Sequence, residues 1–339
     1  MKTDAVKARM MQMVDEQIVP GVSYAHLHDG QLETLVYGKA ALVPQVQPLR
    51  WGMLYDMASL TKVVGTTTVI LKMIEQGEIT LDDRVADYIP LLKDQRVTVR
   101  HLLTHTSAIS GYIPNRNQLP PDQLLAALDS LSVGDWFDQK VVYTDVGLIM
   151  LGQIIEEFYH APVQTVIHDE VLVPLGLTES TFDPVKENCV PTEMTADRGL
   201  IQGEVHDPKA FILKEHCGSA GLFMPLNDLI KFAQWILGIT DNDLLQRSTI
   251  DSLFKDWTTH HLGRSLGWDL RISPDQTPWI YHTGYTGTYI LLSKARQEGL
   301  IVLTNRVHPT ADNQAFLDFR DQLVFLDYLI FLAYFAHAF

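Results

Sequence analysis

The sequence predicts an α+β fold: an antiparallel sheet built from N- and C-terminal strands and flanked by helices, with a mostly helical lobe inserted between them. Three observations predict it. Strand-like alternation occurs near both ends of the chain, at 22–37 and again at 279–305. Helical periodicity dominates the stretch between. The first two strand-like runs are joined by Asp29-Gly30, which suits the two positive-φ positions of a type I′ hairpin turn and so makes the pairing antiparallel.

Taken in order, Thr3–Gln17 has helical periodicity and ends near Pro20-Gly21. Val22–His28 and Gln31–Tyr37 form the hairpin. Leu60–Gln76 is a long apolar segment that follows Ser59 and stops at Gly77, a suitable left-handed terminator. Its Val63-Val64 and Thr66-Thr67-Thr68 are weak helix formers, so burial must hold it, which places it in the core. Residues 78–131 mix short helices with a long loop, His105–Pro121, and Val146–Tyr159 and Leu226–Leu237 read as further helices. The C-terminal strands are Trp279–His282, Gly287–Lys294 and Leu300–Asn305, with Gln297-Glu298-Gly299 as a turn and helix from Ala311 onward. The expected division is a sheet domain of 1–77 plus 221–339, a helical lobe of 78–220, and a substrate cleft between them.

The chain has 339 residues, of which 46% are hydrophobic and 20% charged, an ordinary globular balance. Its net charge of −15 (26 − 41, His neutral) repels phosphate backbones, so no nucleic-acid partner is expected. The two cysteines, Cys189 and Cys217, form no CxxC pair. The N-terminus lacks the apolar run of a secretory signal, so a cytoplasmic location is expected. The apolar tail Val324–Phe339 falls short of the ~20 residues of a membrane span and contains Asp327; it reads as a buried terminal helix, and no stable membrane span is expected.

Three short motifs can carry chemistry. Ser59-Leu60-Thr61-Lys62 places a hydroxyl and an amine one helical turn apart. The hydroxyl needs a base, and an amine serves only when neutral, whereas lysine ordinarily titrates near ~10.4. Free N–H groups at the helix start can also hold an oxyanion. Tyr143-Thr144-Asp145 precedes a helix; the phenol can shuttle protons, and Asp145 has the alternative role of an N-cap. His282-Thr283-Gly284, followed by Tyr285, offers a strand edge with small residues against which a substrate backbone can lie.

Ser-x-x-Lys, Tyr-x-Asp and His-Thr-Gly in this order resemble the motifs of the serine β-lactamase and penicillin-binding-protein superfamily, above all its class C-like branch of esterases, D-amino-acid peptidases and acyltransferases. The segments Asp56–Lys62, Val99–Ser107, Gly218–Leu222 and Leu266–Trp268 are similar to that branch as well. The resemblance implies a β-lactamase/transpeptidase-like fold, Ser59 as acylated nucleophile, and Lys62 and Tyr143 as its proton partners. It further implies an oxyanion hole from the backbone N–H groups of Ser59 and Tyr285, and a substrate site at Asp145, His282, Thr283 and Gly284. Two positions depart from the family pattern. Asp145 stands where the family has Asn, so it cannot donate to a substrate carbonyl when ionised, and near Lys62 it favours the charged amine. His282 replaces the lysine of true β-lactamases and transpeptidases, removing a permanent cation.

Rival motifs are weaker. Ser252-Leu253-Phe254-Lys255 repeats Ser-x-x-Lys but reads as a solvated helix face. Gly263-Arg264-Ser265-Leu266-Gly267 matches a nucleophile elbow without the strand-then-helix context it needs. His101 and His105 have metal-ligand spacing but lack the acidic residue after the first histidine. The expected activity is that of a serine hydrolase acting through a Ser59 acyl-enzyme on an ester or amide, with no cofactor and no metal. The alternatives are a penicillin-binding D-Ala-D-Ala carboxypeptidase or β-lactamase, and a non-catalytic binding module on the same fold. The expected partner is a small ester, amide, β-lactam or short peptide.

Overall fold

The computed structural model describes residues 2–329, with side chains from 4 to 324. The chain opens with helix α1 (Lys2–Asp15) and strands β1 (Gly21–His28), β2 (Gln31–Ala41) and β3 (Gln47–Pro48). Helices α2 (Thr67–Gln76), α3 (Val146–Tyr159) and α4 (Leu226–Leu237) follow. Strands β4 (Asp269–Ile272), β5 (Pro278–Thr283), β6 (Tyr289–Ser293) and β7 (Glu298–Thr304) lead to helix α5 (Gln314–Leu329). Most of the expected tail helix, Val324–Phe339, lies outside the described residues.

All seven strands form one antiparallel sheet in the order β4-β5-β6-β7-β1-β2-β3. The two ends of the chain therefore meet inside the sheet, where Val22 pairs with Thr304 and His26 with Leu300. The β1–β2 hairpin turns at Asp29 (φ 52°) and Gly30 (φ 71°), both positive as a type I′ turn requires. The expected turn at Gln297-Glu298-Gly299 needs correction. Glu298 and Gly299 already belong to β7, pairing with Ser293 and Leu292, and the turn falls at 294–297. Gly299 is there for space: a Cβ would come within 2.8 Å of Leu292 and 3.3 Å of Leu27.

Alternation along the strands feeds two apolar layers. On one face, Tyr24, Trp279 and Val302 meet Met10 and Met13 of α1 and Phe316 and Phe319 of α5. On the other, Ala25, Leu27, Ile301 and Leu303 meet Phe232 and Ile236 of α4, and the same cluster continues through Val69 and Ile70 of α2 into Leu148 and Ile155 of α3. Helix α2 ends at Gly77 in the left-handed region (φ 74°). It is preceded by a π turn, Lys62–Thr66, every residue of which is buried, so tertiary packing overrides the weak local propensity. Cys189 and Cys217 are both free and buried. Among the described residues, no helix is long and apolar enough to cross a membrane.

Candidate active site

The start of the buried helical segment is set by a strained turn. Ala58, just before Ser59, has φ 44°, a conformation that costs a residue with a Cβ and persists only where its surroundings enforce it. Asp56 enforces it. Its buried carboxylate accepts the Ala58 N–H at 2.8 Å and the His206 N–H at 2.7 Å. Burial pushes this carboxyl above its ordinary range against those two hydrogen bonds.

Lys62 lies one turn on, 1% exposed. Its Nζ is 2.7 Å from Ser59 Oγ, 3.0 Å from the Ser219 carbonyl oxygen and 2.7 Å from Asp145 Oδ1. Three acceptors match the three hydrogens of an ammonium. Burial works against the charge, but Tyr143 and Asp145 outweigh it and hold Lys62 above its ordinary value. The amine beside Ser59 is thus cationic in this state, not the neutral base that a simple Ser–Lys mechanism requires.

Asp145 opens α3 but makes no side-chain capping bond. Its carboxylate turns the other way and bridges two lysines, with Oδ2 at 2.9 Å from Lys209 Nζ. Lys209 is in turn 3.1 Å from Asp207 Oδ2. Burial would raise Asp145, yet Lys62 and Lys209 hold it well below the usual carboxylate range. The N-cap role therefore does not describe this residue. Both of its oxygens face lysines.

Tyr143 stands at the rim, with Lys62 Nζ 5.3 Å from its ring centroid. The His105 ring lies 4.6 Å away and the His282 ring 5.9 Å. His282 is buried on β5, and its Nδ1–H donates to the Thr283 carbonyl at 3.0 Å, leaving Nε2 without a partner. Burial, then the Arg264 and Lys62 charges, push His282 well below the ordinary imidazole value, so it is neutral. Burial and the same two charges do so for His105.

The turn after β5 is stitched to the nucleophile segment. Thr286 donates to the Asp56 carbonyl at 2.7 Å and Thr288 to the Met57 carbonyl at 3.2 Å. Gly284 permits the approach: a Cβ there would sit 2.5 Å from the Met57 oxygen. Neither the Ser59 N–H nor the Tyr285 N–H has an acceptor among the described residues. Arg306 Nε donates to the Tyr285 carbonyl at 2.7 Å, and its guanidinium covers the Tyr285 ring.

Ser59, Lys62, Tyr143, Asp145, His282, Thr283, Gly284 and Tyr285 thus converge. The rival motifs lack the arrangement their own chemistry needs, although His105 and Arg264 flank Tyr143. Ser252 Oγ donates to the Thr249 carbonyl at 2.7 Å and Lys255 is exposed. Ser265 lies in a loop with no helix after it. His101 Nδ1 faces Thr98 at the head of a short helix, while His105 Nδ1 accepts the Thr144 N–H. Lys209 and Asp207 carry no signal as site residues in their local sequence. Asp207-Pro208 announces only a helix start, which Asp207 indeed caps.

The family model described as Beta-lactamase matches residues 6–323. The chain belongs to the beta-lactamase family. Members of this family are serine hydrolases, and the sheet-and-helix arrangement above is the β-lactamase/transpeptidase fold. A putative D-alanyl-D-alanine carboxypeptidase of Escherichia coli (strain K12) is 27% identical over 90% of this chain and 84% of its own. A class C beta-lactamase superposes with TM-score 0.76 at 21% identity, covering 94% of this chain and 93% of that one. EstCE1, a hydrolase with promiscuous acyltransferase activity, superposes at 0.75 with 20% identity, covering 95% and 98%.

Proposed function

We propose that this chain is a serine hydrolase that forms an acyl-enzyme on Ser59 with an ester or amide substrate. The observation that carries the reading is the 2.7 Å contact of Lys62 Nζ with Ser59 Oγ beside two unpaired backbone N–H groups. The substrate carbonyl enters between the sheet domain (1–77 plus 221–339) and the helical segment 78–220, along His282, Thr283 and Gly284. Ser59 Oγ attacks the carbonyl carbon, and the oxyanion rests on the N–H groups of Ser59 and Tyr285, each worth about 10²–10³ in rate by analogy with measured donors.

Because Lys62 is an ammonium, it orients Ser59 Oγ and offsets developing negative charge; the proton moves through Tyr143. The Tyr143 hydroxyl takes the Ser59 proton as it hands its own to the leaving group, so no net base is consumed. Water, or an acceptor alcohol or amine, reverses the relay to release the acyl group. Asp145 holds Lys62 in place. The neutral His282 and the absence of an amide donor at 145 favour an ester or a weakly anionic amide over a β-lactam.

A second reading, D-Ala-D-Ala carboxypeptidase or β-lactamase, draws on Arg264. This guanidinium is buried with its Nε unpartnered and lies 5.9 Å from the Tyr143 ring, where it can meet a substrate carboxylate. A panel of p-nitrophenyl esters, nitrocefin, D-amino-acid amides and D-Ala-D-Ala peptides separates the readings. Ester turnover with an acyl adduct on Ser59 by mass spectrometry, both lost in Ser59→Ala, is the expected result. No adduct from any donor would reduce the protein to a binding module.

A further inference from the structure

The sheet face turned away from Ser59 carries a second group of ligating side chains. Along β1, His26 and His28 project to the same face as Tyr24, and Glu298 at the start of β7 projects with Leu300 and Val302. His26 and Glu298 are buried and His28 lies at the rim. The two imidazoles stack with centroids 5.4 Å apart and planes within 5°. Glu33, opposite His26 on β2, is engaged by Tyr24 at 2.5 Å and Lys7 at 3.2 Å, which leaves Glu298 as the carboxylate facing the histidine pair.

The geometry is that of ligands rather than of hydrogen-bond partners. Glu298 Oε1 is 3.6 Å from His26 Nε2 and 3.5 Å from His28 Nδ1, both beyond the usual ~2.7–3.2 Å of a hydrogen bond. One donor atom from each residue falls within 4.8 Å of the others. Bonds of about 2.0–2.1 Å to a tetrahedral ion give donor–donor edges of about 3.3–3.4 Å, close to the two distances observed. His28 Nε2 is 3.0 Å from Asp29 Oδ2. Asp29 and Glu298 thus lie on opposite sides of the His28 ring, so a cation held between Nδ1 and Glu298 Oε1 would have a carboxylate behind the far nitrogen. A carboxylate behind the far nitrogen is also the usual outer support of a metal-bound imidazole. The other nitrogen of His26, Nδ1, is buried without a partner.

We propose that His26, His28 and Glu298 bind a divalent transition metal of the zinc class, with Asp29 orienting His28. Two imidazoles and a carboxylate suit zinc, cobalt or nickel better than a hard cation such as magnesium. The ion would clamp the hairpin end of β1 to the first residue of β7, tying the N-terminal strand to the C-terminal one. It takes no part in chemistry at Ser59 and is independent of the hydrolase reading.

The test uses the full chain after exhaustive chelation, titrated with cobalt(II) and then zinc(II). One equivalent of cobalt with visible absorption bands, displaced by zinc, together with a zinc-dependent rise in Tm, is the expected result. His28→Gln, at the rim where the fold tolerates it, is expected to abolish the cobalt spectrum. Asp29→Asn, which keeps all three ligands, is expected to weaken zinc binding about 10–100-fold. Failure to take up one equivalent of either metal overturns the proposal. So does uptake, or a Tm rise, that is unchanged in His28→Gln.

Discussion

Lys62 and Asp145 meet at 2.7 Å, with Lys62 almost fully buried, and this ion pair helps hold the charge on the amine that touches Ser59. A lysine in an apolar setting alone would shed its proton; Tyr143 and the Asp145 carboxylate together reverse that outcome. Lys209 on the second oxygen of Asp145 keeps the carboxylate ionised in turn.

Asp145→Asn therefore breaks an ion pair and removes no capping bond. It leaves Lys62 without its carboxylate while Lys209 keeps Asp207, and breaking a buried pair from one side costs about 3–5 kcal/mol. Asp145 is held below its unfolded value, so its contribution is complete above about pH 4 and is lost as the pH falls through the folded value. Lys62 is held above its unfolded value, so its contribution is complete below about pH 10 and is lost at higher pH. The Tm gap between the two proteins should form a plateau between about pH 4 and 10 and narrow on either side. The pH–rate profile of the variant should also shift to lower pH, because its Lys62 deprotonates more easily. A gap that is small and flat throughout would show that the bridge contributes nothing.

Acid stability follows from the two buried neutral histidines. His105 and His282 are both held well below the ordinary value, so the unfolded chain takes up protons that the folded one refuses. Stability should fall as the pH drops below about 6.5, by about 1.4 kcal/mol per pH unit for each histidine. Denaturant titrations of wild type, His105→Asn and His282→Asn between about pH 5 and 6.5 test this, with each variant losing one proton from the slope. Slopes identical to wild type in both variants would place the acid sensitivity elsewhere.

Gly284→Ala probes the seam between β5 and the nucleophile turn. The added methyl would meet the Met57 carbonyl at 2.5 Å and also crowd Thr288, so the turn bearing the Tyr285 N–H has to retreat. The overpacking should cost about 1–3 kcal/mol in stability. Displacing one oxyanion donor should lower kcat about 10²–10³-fold with little change in KM. Near-normal kcat would remove Tyr285 from the proposed oxyanion hole.

Much of the architecture is readable from local pattern. The alternation in 22–37, the Asp29-Gly30 turn, the terminator Gly77 and the helices at 146–159 and 226–237 each rest on interactions within a few residues. Gly299 misled because a glycine looks the same in a turn and in a strand where neighbouring leucines crowd the backbone. The π turn at Lys62–Thr66 has no local signature, since its stability comes from packing around it.

Local pattern suffices for the strand–helix–strand order, the one-turn spacing of Ser59 and Lys62, and the family resemblance of three motifs scattered over more than two hundred residues. The charge on Lys62, the partners of Asp145, the neutrality of His282, and the meeting of His26 and His28 with Glu298 emerge after folding. The difference is one of range. Periodicity and turn chemistry act between near neighbours along the chain, whereas ionisation and ligation depend on which groups are brought within a few ångströms after folding and how much water is left around them.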